Sequence, residues 1–164
     1  IEEAPGEVVV TSLQVPESFT GNDAEVVDVL PPDAASIDLS EAPRIICGGA
    51  GIQTSSTFHA LFDIAEELSA SVGATRVITD RSWVEHQRQI GTTGVVVNPQ
   101  LYIALGVSGA VQHTSGLGQP EHIVSINTDP HCPMMQLADL GIVSDANEVL
   151  PALLAALQKR KSNA

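Results

Sequence analysis

From Arg44 onward the chain alternates short apolar runs with stretches of helical periodicity, and this alternation most constrains its fold. RIIC (44–47) reads as a strand running into the turn Gly48-Gly49-Ala50-Gly51. Phe58, Leu61, Phe62, Ala65 and Leu68 then recur at helical spacing, which predicts a helix from about Ser56 with Ser55, Ser56 and Thr57 as candidate N-caps. TRVIT (75–79) reads as a strand, and residues 80–94 as a loop. LYIALGV (101–107) is the clearest strand, followed by a short helix from Gly109 to about Thr114. HIVSIN (122–127) and LGIVS (140–144) are two more strands. Between them Pro133–Leu137 opens a helix with proline in its first turn. Asn147–Gln158 closes the chain as an amphipathic helix. Val149, Leu150, Leu153, Leu154 and Leu157 form its stripe, and Lys159, Arg160 and Lys161 complement its negative end. Continuously apolar strands between helices predict an α/β fold: a Rossmann-like parallel sheet with helices on both faces.

Aromatics are only 3% of the 164 residues, so Val, Ile, Leu and Ala must build the core. The net charge of −13 repels a phosphate backbone, and few aromatic rings are available to stack on bases, which argues against nucleic-acid binding. No apolar run approaches the roughly 20 residues of a membrane span, so direct membrane insertion is not expected. Cys47 and Cys132 form no CxxC pair or disulfide framework, which suits a reducing compartment. The charge is uneven. Residues 1–43 carry ten acids and no Lys or Arg, whereas residues 44–164 carry ten acids and seven bases. This shift near Pro43 divides the chain into an acidic segment (1–43) and a main domain (44–164). Within the acidic segment, 7–15 (EVVVTSLQV) and 25–30 (EVVDVL) read either as two short strands or as a loosely ordered arm. The start at Ile1, without a signal-peptide pattern, is expected of a fragment or a processed chain.

In parallel α/β sheets ligands bind beyond the carboxyl ends of the strands. Those ends here are GGAG, QIGTTG (89–94), SGAVQH (108–113), Thr128-Asp129-Pro130 and Asp145. They offer backbone N–H groups and neutral donors, which suit a nucleotide pyrophosphate. Ser108-Gly109-Ala110 is the best such seat, with Gly109 permitting close backbone approach. Each signal also has a plainer explanation. Gly48–Gly51 is neither a GxGxxG fingerprint nor a P-loop and reads as a tight strand-to-helix turn. Ser108 and His113 read as an N-cap and a satisfied histidine, and Arg76, alone in an apolar strand, as a salt-bridge partner of Asp80. Asp129, His131 and Cys132 cluster without a regular metal-ligand pattern, and no GxSxG supports a serine nucleophile.

The blocks GATR (73–76), QIGTTG (89–94), PQLYIALGVSGAVQH (99–113), INTDP (126–130) and ADLGIV (138–143) occur in order. With these, the chain from about Arg44 to Leu157 resembles the C-terminal domain of the electron transfer flavoprotein alpha subunit. The resemblance implies a DHS-like NAD/FAD-binding sheet holding one extended FAD, with residues 1–43 the tail of an absent N-terminal domain. It also implies a heterodimer with a beta-type subunit. Flavin dehydrogenases such as acyl-CoA dehydrogenases would donate electrons, and an electron transfer flavoprotein quinone oxidoreductase would accept them. Such a carrier turns over no organic substrate itself, and resides in a bacterial cytoplasm or, less in keeping with this chain, a mitochondrial matrix.

The implied contacts carry over by position. Thr75 keeps a hydroxyl at the pyrophosphate, and Arg76 matches the arginine against the flavin ring, where a fixed cation favours anionic reduced flavin. Gln89, Ile90, Gly91, Thr92 and Thr93 match the loop around the flavin, with Thr93 near N5. Ser108, Gly109, Ala110, Val111, Gln112 and His113 match the segment under the cofactor, with His113 on the O2 side. Asn127, Asp145 and Ala146 match positions toward the adenosine. Two residues depart from the family: Ala50 stands where the first turn usually has an arginine, and Thr92 where glutamine is frequent. Ala50 and the missing N-terminal domain favour an alternative, a redox-silent nucleotide-binding or assembly module. A nicotinamide enzyme of the same broad fold has no specific feature in its favour.

Overall fold

The structure, a computed structural model, describes residues 38–162. The strands expected at 7–15 and 25–30 lie outside the described residues. A five-stranded, wholly parallel sheet has the order β2-β1-β3-β4-β5. Its strands are β1 (Arg44–Gly48), β2 (Ser71–Ala74), β3 (Leu101–Leu105), β4 (His122–Asn127) and β5 (Leu140–Val143). The helices are α1 (Ser55–Leu68), α2 (Arg76–Asp80), α3 (Val111–Thr114), α4 (Pro133–Leu137) and α5 (Ala146–Ser162).

Helix α1 forms because Phe58, Leu61, Ile64 and Ala65 lie on one face and are buried together. Its cap is Thr54, one residue before the expected candidates: Thr54 Oγ1 accepts from the Thr57 N–H at 3.1 Å. The stripe of α5 packs on the same core, with Leu150 buried and Val149, Leu153, Leu154 and Leu157 beside it. Together α1 and α5 cover Ile46, Val72, Leu105 and Ile126 on one face of the sheet. The other face presents Ile45, Cys47, Tyr102 and Ala104 to Ile90, Val97, Cys132 and Met134. Leu39 and Ala42, from the turn preceding β1, are buried in that second core as well.

The main correction concerns residues 71–80. The strand is Ser71–Ala74, and TRVIT is not a strand: Thr75 is the N-cap residue of α2. The segment 71–74 fits because it is small. A Cβ on Gly73 would fall 2.6 Å from Ile90 Cδ1, so a side chain there would force that buried isoleucine to shift. After Ala74, the Thr75 N–H makes a last bond to the Gly48 carbonyl and the chain turns, with the Ile78 N–H bonding to the Thr75 carbonyl. Tertiary packing overrides the β-branched composition of TRVIT. The helix expected from Gly109 begins two residues later, at Val111.

The strand order places β1 and β3 side by side, while β2 lies on the other side of β1. The connections therefore diverge at the carboxyl ends of β1 and β3, a topological switch point where open α/β sheets bind ligands. Here the first turn touches the exit of β3. The Gly51 N–H bonds to the Gly106 carbonyl at 3.0 Å, and a Cβ on Gly49 would lie 2.4 Å from that same oxygen. The GGAG glycines thus serve a tight turn and its contact with β3.

Candidate functional site

A cleft of about 470 Å³ opens at the ends of β1, β2 and β3, within the usual range of ligand pockets. Twelve of the sixteen residues assigned to FAD by resemblance line it: Thr75, Arg76, Gln89–Thr93, Ser108–Ala110, Gln112 and His113. Val111 points elsewhere and is 77% exposed. Asn127, Asp145 and Ala146 also lie outside the lining. Asn127 Nδ2 donates to the Val107 carbonyl at 2.9 Å, fixing the chain beneath the cleft. Asp145 accepts from the backbone and side chain of Asn147, which hold its carboxyl below the usual carboxylate range. Asn147 in turn binds the Gln53 N–H and the Gly51 carbonyl, so this pair props up the first turn.

Arg76 stands at the mouth, in the first turn of α2 and not inside a strand. Its Nε lies 3.4 Å from Asp80 Oδ2, the ion pair that its plainer explanation requires. At 71% side-chain exposure its charge is screened by water in the open cleft. Among the described residues no other Lys or Arg, and no Asp or Glu, lines the cleft. The remaining polar groups are hydroxyls, amides and backbone N–H groups. The Ser108 hydroxyl and the N–H groups of Ser108, Gly109 and Ala110 make no hydrogen bond to another described residue. Gly109 is glycine for an internal reason: its φ is +80°, and a Cβ would meet the Met134 backbone nitrogen at 2.4 Å. The glycine thus permits close approach of α4, whose Met134 N–H bonds to the Ser108 carbonyl.

His113 is buried and saturated. Its Nδ1 lies 3.0 Å from the Ile90 carbonyl oxygen and must donate, so Nε2 accepts from the Tyr102 hydroxyl at 2.7 Å. Burial pushes its pKa down, only partly opposed by the Ile90 bond. The ring is therefore neutral near pH 7, and neither nitrogen is left to bind a ligand. Sequence reasoning anticipated the satisfied histidine but missed its partner. Tyr102, fully buried at the centre of β3, needed a partner for its hydroxyl, and that need was the available signal. Burial likewise raises the Tyr102 hydroxyl well above its ordinary range and the Cys47 thiol to about 12, so both stay protonated.

The loop after β2 carries a second network. Gln89, 1% exposed, lies between Thr79 of α2 and Thr93, with side-chain distances of 2.7 and 2.9 Å. Thr92 faces away from the cleft centre: its N–H bonds to the Gln112 carbonyl and its hydroxyl meets Ser115 Oγ at 2.6 Å. Ala50, Val77 and Val107 also line the cleft although they were not among the assigned contacts. Thr75 gives the sharpest indication of a missing occupant. Its Oγ1 is shielded from water and has no partner among the described residues. Such an orphan costs about 1–3 kcal/mol, and Thr75 is itself one of the residues that line the cleft. Among the described residues the donors, the single cation and the absence of lining carboxylates fit an anionic dinucleotide such as FAD.

Comparison with known proteins agrees with this chemistry. Residues 38–118 match the family described as the electron transfer flavoprotein FAD-binding domain, which makes FAD the cofactor of this domain. The mitochondrial electron transfer flavoprotein subunit alpha of rice (Oryza sativa subsp. indica) is 43% identical over 135 residues, 82% of this chain and 38% of that protein. The electron transfer flavoprotein subunit alpha of Bacillus subtilis (strain 168) is 43% identical over 136 residues, 83% of this chain and 42% of that protein. Protein FixB of Azotobacter vinelandii is 40% identical over 151 residues, 90% of this chain and 42% of that protein. The chain spans about two-fifths of the length of these curated relatives.

Proposed function

The chain belongs, through residues 38–118, to the electron transfer flavoprotein alpha-subunit family, and from that premise we propose that it is the FAD-holding part of an electron carrier. Bound in the cleft, the flavin would supply the redox chemistry of electron carriage between flavoproteins. The chain binds it, orients it and sets the charge around it. The N–H groups at Ser108–Ala110, which have no partner among the described residues, and the hydroxyls of Ser108 and Thr75 would hold the pyrophosphate. Arg76 would lie beside the flavin ring, where its fixed charge favours the anionic reduced form. That effect strengthens when a companion chain displaces water from the open mouth. His113, neutral and saturated, supports the floor of the cleft and exchanges no proton there.

The carrier reading rests above all on the composition of the cleft: among the described residues, one guanidinium, neutral donors and no carboxylate at a switch point. A beta-type subunit as partner, flavin dehydrogenases as donors, a quinone oxidoreductase as acceptor and a cytoplasmic location belong to the same reading. No helix among the described residues is long and apolar enough to cross a membrane. Asn127, Asp145 and Ala146 would serve the adenosine end, since Asn127 ends β4 and the other two follow β5. The test is the visible spectrum of the chain purified together with its beta-type partner. Flavin bands at one FAD per complex are expected. A colourless complex that takes up no added FAD would favour the redox-silent module instead, a reading that Ala50 supports by leaving the first turn without a cation.

A further inference from the structure

Two distant parts of the chain meet on one side-chain amide. Asn147, near the start of α5, donates from Nδ2 to the Gly51 carbonyl at 3.0 Å and accepts at Oδ1 from the Gln53 N–H at 3.1 Å. A backbone carbonyl only accepts and a backbone N–H only donates, so the sense of this amide is fixed by its partners. The other Nδ2 proton goes to Asp145 Oδ1 at 2.6 Å, so both protons of the amide nitrogen are used. The grip on the turn straddles Ile52, which is fully buried.

We infer that Asn147 is a positioning residue for the ligand cleft: by holding the first turn on both sides of Ile52, it fixes the part of the cleft wall that Ala50 contributes. That the ligand is FAD rests on the function proposed above; the hold on the turn does not. On its inner side the turn leans on β3. The Gly49 N–H bonds to the Leu105 carbonyl at 2.9 Å and the Gly51 N–H to the Gly106 carbonyl at 3.0 Å. Ala50, between these glycines, lines the cleft. On its outer side the Gly51 carbonyl and the Gln53 N–H are held by Asn147. Without the amide the turn keeps its bonds to β3 but loses its outer anchor.

The anchor is fixed at its own end. Ala146 and Leu150, on either side of Asn147 in α5, are buried in the same core as Ile52. Asp145 Oδ1 accepts from the Asn147 N–H at 2.8 Å, and the Asp145 carbonyl accepts from the Glu148 and Val149 N–H groups. The start of α5 thus sets the backbone of Asn147 before its side chain reaches the turn. A plainer explanation is that Asn147 only ties two segments together for stability. Asn98 does that elsewhere: its Oδ1 accepts from the Gln119 N–H at 2.7 Å, and neither residue lines the cleft. Asn98 is therefore the natural control.

Two measurements test the inference. The first needs no cofactor. Asn147→Leu keeps the size of the side chain and removes its hydrogen bonds. In amide hydrogen exchange of the full chain, the Gly49 and Gly51 N–H groups should then exchange about fivefold faster, the equivalent of one net hydrogen bond, although Asn147 bonds to neither N–H. Unchanged exchange at both would show that the turn holds itself, and would overturn the inference. The second is FAD binding by the full chain. Asn147→Leu should weaken it about fivefold, and so should Asn147→Ser, whose side chain is too short to span the same groups. Asn98→Leu should leave the affinity unchanged. A loss in the Asn147 variants no greater than that in Asn98→Leu would make Asn147 a purely stabilising residue and overturn the inference. A wild-type chain that takes up no FAD would defeat the carrier proposal, while the Gly49 and Gly51 amides would still decide the role of Asn147.

Discussion

The two faces of the sheet are built on different principles. Under α1 and α5, Ile46, Val72, Leu105 and Ile126 meet Phe58, Leu61 and Ile64, a core of aliphatic groups and one fully buried ring. At the cleft the buried groups include Gln89 and His113, each held by directional bonds to two partners. Apolar packing supplies stability but prescribes no polarity, because dispersion and burial are non-directional. The rim of the second face does the reverse. Its hydrogen bonds each contribute little net stability, yet they hold side chains in one orientation at the cleft, and those of His113 leave neither ring nitrogen to a ligand. The first face makes the sheet, and the second makes it specific.

The sharpest way to break this contrast is to damage the packed face. Phe58 is fully buried and lies against Gly48, so Phe58→Ala should cost about 3–5 kcal/mol in chemical denaturation. FAD affinity of the fraction that stays folded should change little. A selective loss of affinity would mean that the faces are not separable. Next in size is Tyr102→Phe, which removes the hydroxyl and strands His113 Nε2 in the interior. The expected cost is about 1–3 kcal/mol, well above that of an ordinary loss of one surface contact.

The same histidine makes stability depend on pH. Its folded pKa is depressed by burial below the unfolded value of about 6.5. Between those two values the unfolded chain binds the additional proton. The stability is fully present above about pH 6.5 and falls as the pH drops toward the folded value. Denaturation midpoints measured from pH 7.5 down to 5 should show this decline. His113→Gln should flatten it, even though the variant is less stable at every pH.

The packed face is also the one that could be read from sequence. The stripes of α1 and α5 needed only a 3.6-residue period, and β4 ran over the expected residues because HIVSIN is uninterrupted. The cleft was legible as a set of residues but not as a geometry. TRVIT looked like a strand because Val, Ile and Thr favour one; nothing local revealed that the chain turns after Ala74, where the Ile78 N–H bonds to the Thr75 carbonyl. Gly109 looked like a place for a ligand because the approach of the Met134 backbone depends on a segment some twenty-five residues away. The direction of each hydrogen bond was invisible for the same reason. Thr79 and Gln89 are ten residues apart, and Tyr102 and His113 eleven, so only the fold makes them pairs.

Arg76 sharpens the comparison at smaller energies. Its ion pair with Asp80 is solvent-exposed, so Arg76→Ala should change unfolding free energy by less than about 1 kcal/mol. The same substitution should weaken FAD binding about tenfold or more, the equivalent of one charge-assisted hydrogen bond, and lower the flavin potential in a redox titration. An unchanged potential in the intact complex would remove Arg76 from the cofactor's electrostatics.

Ala50 should give the smallest effect, and it bears on how the cleft does without a second cation. It is exposed, lines the cleft and sits in a turn fixed by Gly49 and Gly51 against Gly106. An arginine there adds a charge without disturbing the packed face, so Ala50→Arg should leave the denaturation midpoint nearly unchanged. An exposed ion pair contributes about 0.2–1 kcal/mol, which corresponds to FAD dissociating up to about fivefold less. The gain should shrink at high salt, where exposed charges are screened. A larger gain that survives high salt would mean that position 50 becomes buried on FAD binding. The mouth of the cleft would then close around the cofactor, and the rim would no longer be the open counterpart of the packed face.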